Sequence, residues 1–304
     1  MEEFMARLRA GACSVRNPFN AGLERRVSLA PEDLDCIVFW TRDPRPLLPC
    51  IAELEARRIP FYVQVTLTGY PASIEPGSPR PEDAIEAISA LSGRIGPDRV
   101  LWRYDPIFLA RSSQGGEGGE GGSSDLGADW HRANFRRLAA RLEGKAERVI
   151  VSLLDEYAHT RARLEEAGLN NIAFGTTRPG KGGAPLNAAR SAGPDGGDFQ
   201  LEAESSGAGK LPPPPFPDLL AEIAACAVSR GFSPRACAEP WDLGPLGIAP
   251  SSCIDAGLAS RVAGRPIAAA RDRGQRPGCG CAASVDIGSY GPCPSRCAYC
   301  YARR

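Results

Sequence analysis

Val100-Leu-Trp-Arg-Tyr-Asp-Pro-Ile107 sets the pattern for this 304-residue chain. An apolar run of strand length turns polar and meets a proline, which lacks an N–H and biases the residue before it toward extended backbone. Residues 100–104 therefore read as a strand that delivers Arg103, Tyr104 and Asp105 at its exit. The same signature recurs at residues 36–40, 61–67 and 149–154, each rich in Val, Ile, Phe, Trp or Tyr. Their exits are Thr41-Arg42-Asp43-Pro44, Thr66-Leu-Thr-Gly-Tyr-Pro71 and Asp155-Glu156-Tyr157. Amphipathic stretches at residues 47–57, 81–92, 129–142, 157–167 and 217–229 lie between or after them, the last carrying Leu219, Leu220, Ile223 and Val228 at helical spacing. Strands alternating with helices predict βαβ units and a parallel sheet buried on both faces. The expected class is α/β and TIM-barrel-like, with one more strand near residues 283–287. Polar groups at four similar exits point to a shared cavity at the carboxyl rim, where such barrels gather their chemistry.

Composition bounds the function. Apolar residues make up 43% and charged residues 24%, enough for a sizeable core. Lys+Arg and Asp+Glu both number 36, which argues against a generally basic nucleic-acid binder. No run approaches the roughly 18 apolar residues of a membrane span, and residues 1–10 lack the apolar centre of a secretory signal. A soluble, cytoplasmic protein is the expectation. Gly (34) and Pro (28) are in excess but clustered. Residues 112–127 and 175–215 read as low-complexity insertions without core contacts, in an otherwise single barrel-like domain spanning residues 1–304.

Eight of the 11 cysteines lie at or beyond position 226. In a chain without a secretory signal, such density points to metal or redox chemistry rather than disulfides. Residues 237–304 thus form a Cys-rich region. Its sharpest motif is Cys293-Pro-Ser-Arg-Cys297-Ala-Tyr-Cys300-Tyr301. Three thiolates on one tight loop can hold three irons of a [4Fe–4S] cluster and leave the fourth open. This is the spacing of radical S-adenosylmethionine (SAM) enzymes, whose open iron binds the amino-acid end of SAM. A zinc site using these three and another cysteine is the rival reading. Cys237, Cys253, Cys279 and Cys281 form a second set, enough for a closed four-thiolate site holding either zinc or a second Fe–S cluster. Cys13, Cys36, Cys50 and Cys226 read as small core residues.

Other catalytic patterns are thin. Gly175-Thr-Thr-Arg-Pro-Gly180-Lys181 has phosphate-loop spacing, but Gly182 follows where a Ser or Thr should bind magnesium. His131 and His159 fall on helical stretches near arginines and are expected to be exposed. Tyr104-Asp105 and Leu154-Asp155-Glu156 supply carboxylates whose pairing sequence does not reveal.

Several segments together resemble the bacterial domain-of-unknown-function family 1848. They are Asn17-Pro-Phe-Asn20, Val38-Phe-Trp-Thr41, Gln64-Val-Thr-Leu-Thr-Gly-Tyr70, Trp102-Arg-Tyr-Asp-Pro-Ile107, and the ending Cys279-Gly-Cys281, Ser284-Val-Asp-Ile-Gly-Ser-Tyr290 and Cys293 to Ala302. The family's usual opening, a short strand and an Arg-rich loop ahead of the helix seen here at residues 3–9, is not matched, so the barrel is expected to be one strand short. The cysteine-cluster likeness implies that Cys293, Cys297 and Cys300 ligate the cluster, with Tyr299 in the aromatic place. Radical SAM barrels carry this loop after their first strand. Here it follows the strand expected at residues 283–287, so a circularly permuted barrel is the simplest arrangement.

The reading is a radical-SAM-like iron–sulfur enzyme. Thr41, Arg42, Thr66 and Tyr299 are the cofactor-binding candidates, and Arg103 and Asp105 the catalytic ones. The substrate, small or macromolecular, is not legible. A flavodoxin or ferredoxin would serve as electron donor, and no membrane partner is expected. The alternatives are a non-catalytic Fe–S electron-transfer protein and a zinc-stabilised binding module.

Overall fold

A computed structural model describes residues 1–17, 20–112, 125–175, 210–272, 275, 278–288 and 293–302. The chain opens with α1 (Glu2–Arg9) and a hairpin of β1 (Ala12–Asn17) and β2 (Asn20–Ser28). Then come β3 (Ile37–Thr41), α2 (Ile51–Ala56), β4 (Phe61–Thr66), α3 (Pro81–Ile95), β5 (Val100–Ile107) and β6 (Leu109–Ser112). α4 (Ala128–Leu142), β7 (Arg148–Leu153), α5 (Ala158–Glu166) and β8 (Leu169–Ala173) follow. α6 (Phe216–Ser229), β9 (Ser233–Cys237), β10 (Ala249–Ser251) and α7 (Ala256–Ala263) complete the described elements. Six strands form one parallel sheet in the order β10-β9-β7-β5-β4-β3. β6 and β8 pair separately and antiparallel.

Alternation within each strand separates two faces. Phe61, Val63, Val65, Val100, Trp102, Tyr104, Val149 and Val151 join the main core with α2, α3, α4 and α6. Tyr62, Leu101 and Ile150 point the other way, onto Leu258 and Ala259 of α7. The helices carry ordinary end signals. α3 starts at Pro81 with Glu82 and Asp83 in its first turn and stops at Gly96, whose φ is +91°. α7 is capped by Asp255, whose carboxylate accepts the Leu258 N–H at 2.9 Å. The Tyr62 hydroxyl of β4 donates to the Cys253 carbonyl just past β10 at 2.9 Å, although β5, β7 and β9 lie between those strands in the sheet. The sheet is therefore strongly curled, and α7 sits within its concave face. Among the described residues no helix is long and apolar enough to cross a membrane.

The four strands expected from residues 36–40, 61–67, 100–104 and 149–154 appear as parallel neighbours; three keep within one residue of those bounds, and β5 runs three residues further, to Ile107. Three expectations need correction. Residues 283–287 form no strand: beyond the isolated Ala282–Arg271 bridge the backbone is irregular, and Val285 is exposed. Ala-Ser-Val-Asp-Ile offers two large apolar groups, of which Ile287 packs against the main core while Val285 is left in solvent. Among the described residues β3 and β10 are the sheet's edges and are not paired, so neither a closed barrel nor a permuted closing strand is seen. The insertion expected at residues 112–127 is tied down at its end, where Leu126 bridges Ala110 and is buried. Most of that insertion, most of residues 175–215 and nearly all of the phosphate-loop-like stretch lie outside the described residues. Of the four cysteines read as core, Cys13 is buried while Cys36, Cys50 and Cys226 are half-buried at the edges of the apolar clusters.

His131 is the third correction. It is fully buried on α4, while His159 is exposed. His131 Nδ1 lies 2.9 Å from the Tyr104 hydroxyl, and Nε2 lies 2.8 Å from the Phe108 carbonyl. The carbonyl can only accept, so Nε2 carries the proton and Nδ1 accepts from the hydroxyl. Asn134 Nδ2 also donates to that hydroxyl at 3.1 Å. Burial lowers the His131 pKa from 6.5 to about 4. A depressed folded value means that the unfolded chain binds the extra proton. Stability from this site is therefore complete above pH 6.5 and drains away as pH falls toward 4. Over that window it amounts to roughly 3 kcal/mol. Denaturation measured from pH 7.5 to 4 should show this slope in the native chain and not in His131→Gln. Equal slopes in the two would rule the account out.

Candidate metal centre

The carboxyl end of the sheet gathers the cysteines. Cys237 is the last residue of β9, and Cys253 stands two residues past β10. The Cys279-Gly280-Cys281 segment returns to meet them. The sulfurs of Cys237, Cys279 and Cys281 all lie within 4.8 Å of one another, so this triad could hold a metal ion. Cys253 stands beside the triad, outside that mutual spacing, and Ile254 next to it donates its N–H to Cys281 Sγ. A Cβ at Gly280 would come within 2.7 Å of the Ser252 hydroxyl, so a larger residue there would have to turn that side chain aside.

Fixed donors surround these sulfurs. The Ile254 N–H donates to Cys281 Sγ at 3.4 Å, and Arg103 Nη1 donates to Cys253 Sγ at 3.2 Å. Hydrogen bonds from Cys237 and Cys281, helped by the Arg103 charge, hold the Cys253 thiol well below its usual pKa. The Cys237 thiol is raised, first by its bond to Cys253. For Cys281 a bond with Cys237 works downward, but the Cys253 bond and burial prevail and carry it to about 12. Of these thiols Cys253 is the one whose pKa is lowered, and the Arg103 guanidinium touches it.

Arg103 is buried at the centre of a polar layer on the inner face. Its Nη1 also reaches Gln64 Oε1 at 3.0 Å, and its Nη2 bonds Asp105. Asp105 accepts from the Ser152 hydroxyl as well. Gln64 Nε2 donates to the Cys253 carbonyl at 2.7 Å, so one side chain positions both Arg103 and the cysteine loop. Half-exposed Trp40 stacks under the Arg103 guanidinium at 5.2 Å. Burial works against the Arg103 charge, but Asp105 and Cys253 outweigh it and raise its pKa.

The terminal loop docks a short distance away. Cys297, Ala298 and Tyr299 are buried with Tyr70, Ile74 and Phe108. Its backbone is stapled by Ala298 N–H to Ile74 O at 2.9 Å and by Gly77 N–H to Ser295 O at 3.1 Å. Gly77 allows this approach, since a Cβ would collide with the Pro294 carbonyl at 1.8 Å. Beneath the loop, Arg42 pairs with Glu75 at 2.9 Å and bonds the Tyr299 hydroxyl. Tyr299 and Thr68 both donate to Glu75. Burial raises the Cys297 pKa, and the Arg42 charge opposes it. Cys293 is exposed and Cys300 half-buried. These three sulfurs are not gathered within single-ion spacing as the first triad is.

The candidate rim residues divide by what they touch. Thr41 spends its hydroxyl on the Asp43 carbonyl at 2.8 Å, closing its own turn. Arg42 and Tyr299 belong to the network under the terminal loop, and Arg103 and Asp105 to the layer beside Cys253. Thr66, at the end of β4, is half-buried. Sequence reading passed over Glu75, Gln64 and Ser152. A signal existed for Gln64: it shares one strand face with Tyr62 and Thr66, a polar side chain amid apolar neighbours.

The fold and the clustered thiols define a parallel α/β protein with a cysteine-rich, metal-competent centre at the carboxyl edge of its sheet. The chain belongs to the family described as a domain of unknown function, DUF1848, which matches residues 1–183 and 201–302. No curated protein and no solved structure matches it.

Proposed function

We propose that this chain is an iron–sulfur protein of the radical-SAM-like kind, in which Cys293, Cys297 and Cys300 hold a [4Fe–4S] cluster. The observation that carries the reading is the burial of Cys297 at the carboxyl edge, over the Arg42–Glu75–Tyr299 network. The donor chemistry fits: three thiols stand in one eight-residue loop, and a cubane ties each to a separate iron, which needs wider sulfur spacing than a single ion. Such a cluster, when bound, supplies the electron that cleaves SAM and so starts radical chemistry on a substrate. The chain's own residues bind and orient. Arg42 offsets negative charge at Cys297, and Tyr299 fixes the loop over Glu75. Thr41, Arg42, Thr66 and Tyr299 are the cofactor-side candidates, while Arg103 and Asp105 face the substrate side. A small-molecule or macromolecular substrate, a flavodoxin- or ferredoxin-type electron donor and a reducing cytoplasmic setting complete the proposal.

Anaerobic purification with iron and sulfide analysis tests it. About four irons per chain are expected, with a spectral change on adding SAM. Replacing Cys293, Cys297 and Cys300 together by Ala should abolish both, and Cys226→Ala should abolish neither. A triple variant that keeps its iron and its SAM response would overturn the reading. Iron at this loop without a SAM response would place the chain among electron-transfer proteins instead.

A further inference from the structure

We infer that Cys237, Cys253, Cys279 and Cys281 bind one zinc ion rather than a second iron–sulfur cluster, and that this ion clamps the C-terminal return segment onto the sheet. The inference stands apart from the iron–sulfur reading of the terminal loop, since it uses different residues and a different metal.

Sulfur spacing carries the argument. A tetrahedral zinc with Zn–S near 2.3 Å sets its thiolates about 3.8 Å apart. The Cys237, Cys279 and Cys281 sulfurs already stand within 4.8 Å of one another, and Cys253, outside that spacing, precedes Ile254, whose N–H donates to Cys281 Sγ at 3.4 Å. Three sulfurs this close leave room for one ion and none for an inorganic sulfide core, with Cys253 as the fourth ligand. The donor set is all thiol, as in structural rather than catalytic zinc sites. The bonds from the Ile254 N–H to Cys281 and from Arg103 to Cys253 are the outer contacts that orient metal thiolates.

Position gives the ion its role. Cys237 and Cys253 end neighbouring strands, whereas Cys279 and Cys281 belong to an irregular segment with few backbone bonds to the sheet region. That segment holds on through Ala282 N–H to Ile254 O at 3.0 Å and through bridges to residues 270–272. One zinc would join it to the ends of β9 and β10. Only 11 residues separate Cys281 from Cys293, so the clamp also fixes where the terminal cysteine loop begins its approach to Gly77 and Ile74.

The test measures zinc and iron separately in the full chain. About one zinc per chain is expected, retained in the Cys293/Cys297/Cys300 triple alanine variant and lost in the Cys279→Ser, Cys281→Ser double variant. If that double variant does not fold, exchange of the native chain with cobalt replaces it as the readout. Tetrahedral four-thiolate cobalt absorption is expected there, and an octahedral or featureless spectrum would sink the proposal. Iron and sulfide that persist in the triple variant, with no zinc, would overturn the choice of metal. Stripping zinc with a chelator should raise amide exchange across residues 278–288 and 293–302 while leaving β4 and β5 protected. Unchanged exchange there would overturn the clamp. A native chain that holds zinc and no iron would count only against the iron–sulfur reading.

Discussion

Arg42→Met should destabilise the chain by about 3–5 kcal/mol and release the terminal cysteine loop. Arg42 and Glu75 form a largely buried pair, with side chains 14% and 5% exposed. Burial disfavours the guanidinium charge, yet Tyr299, Glu75, Cys297 and Asp105 together raise its pKa. Removing Arg42 leaves the buried Glu75 side chain without its cation, beside the hydroxyl donors of Thr68 and Tyr299. An uncompensated buried charge is costlier than the pair itself is favourable. The double variant Arg42→Met, Glu75→Gln should therefore recover most of the loss. Denaturant titration of the two variants decides the matter. A double variant no more stable than Arg42→Met would mean that the packing of Arg42, not its charge, holds the loop. Exchange protection at Ala298, whose N–H bonds Ile74, gives the local readout.

Much of the sheet was legible because its central strands are long, apolar and cut off by proline. Phe61 to Thr66 and Val100 to Tyr104 need no tertiary context to be read as strands. β9 and β10 were hidden for the opposite reason: Ser-Pro-Arg-Ala-Cys and Ala-Pro-Ser are short, polar and proline-bearing. They exist because neighbouring strands pair with them. β10 is an edge strand, where the missing N–H of Pro250 costs little. The β1–β2 hairpin was hidden in charged sequence, Leu-Glu-Arg-Arg-Val, that lacks an apolar face. The strand expected at residues 283–287 failed because the alternating Val285 and Ile287 do not share a buried face: Ile287 packs on the core and Val285 is exposed.

The site was legible by residue type more than by role. Cysteine clustering pointed to both sets, and the structure draws the four dispersed cysteines together across more than forty residues of sequence. Their neighbours follow from topology. Glu75 lies on a loop after β4, 224 positions from Tyr299, which donates to it. Gln64 reaches Cys253 over 189 positions. Such contacts arise only because the sheet curls, and a local reading holds no information about that curl. His131 misled for the same reason: surrounded in sequence by Trp130 and Arg132, it turns inward on α4 to meet Tyr104 and Phe108.

Arg103→Met should carry the other large effect, because Arg103 binds three acceptors at once: Gln64, Asp105 and Cys253. Its loss leaves Asp105, 17% exposed, with Ser152 as its remaining donor. It also removes the positive charge that favours a Cys253 thiolate and the cation that stacks on Trp40. A loss of about 3–5 kcal/mol is expected, together with a fall of roughly 10–100-fold in metal affinity at the four-cysteine site. Lysine should not rescue, since one ammonium lacks the planar fork that reaches acceptors on different sides. Asp105→Asn in the same background should restore part of the stability but none of the metal affinity, because the carboxylate is then silent while Cys253 still lacks its donor. Competition for zinc against a chromophoric chelator, run beside denaturant unfolding of each variant, separates the two effects. If Arg103→Met, Asp105→Asn regains metal affinity along with stability, Arg103 acts on the thiolates only by holding the fold, and its direct bond to Cys253 counts for little.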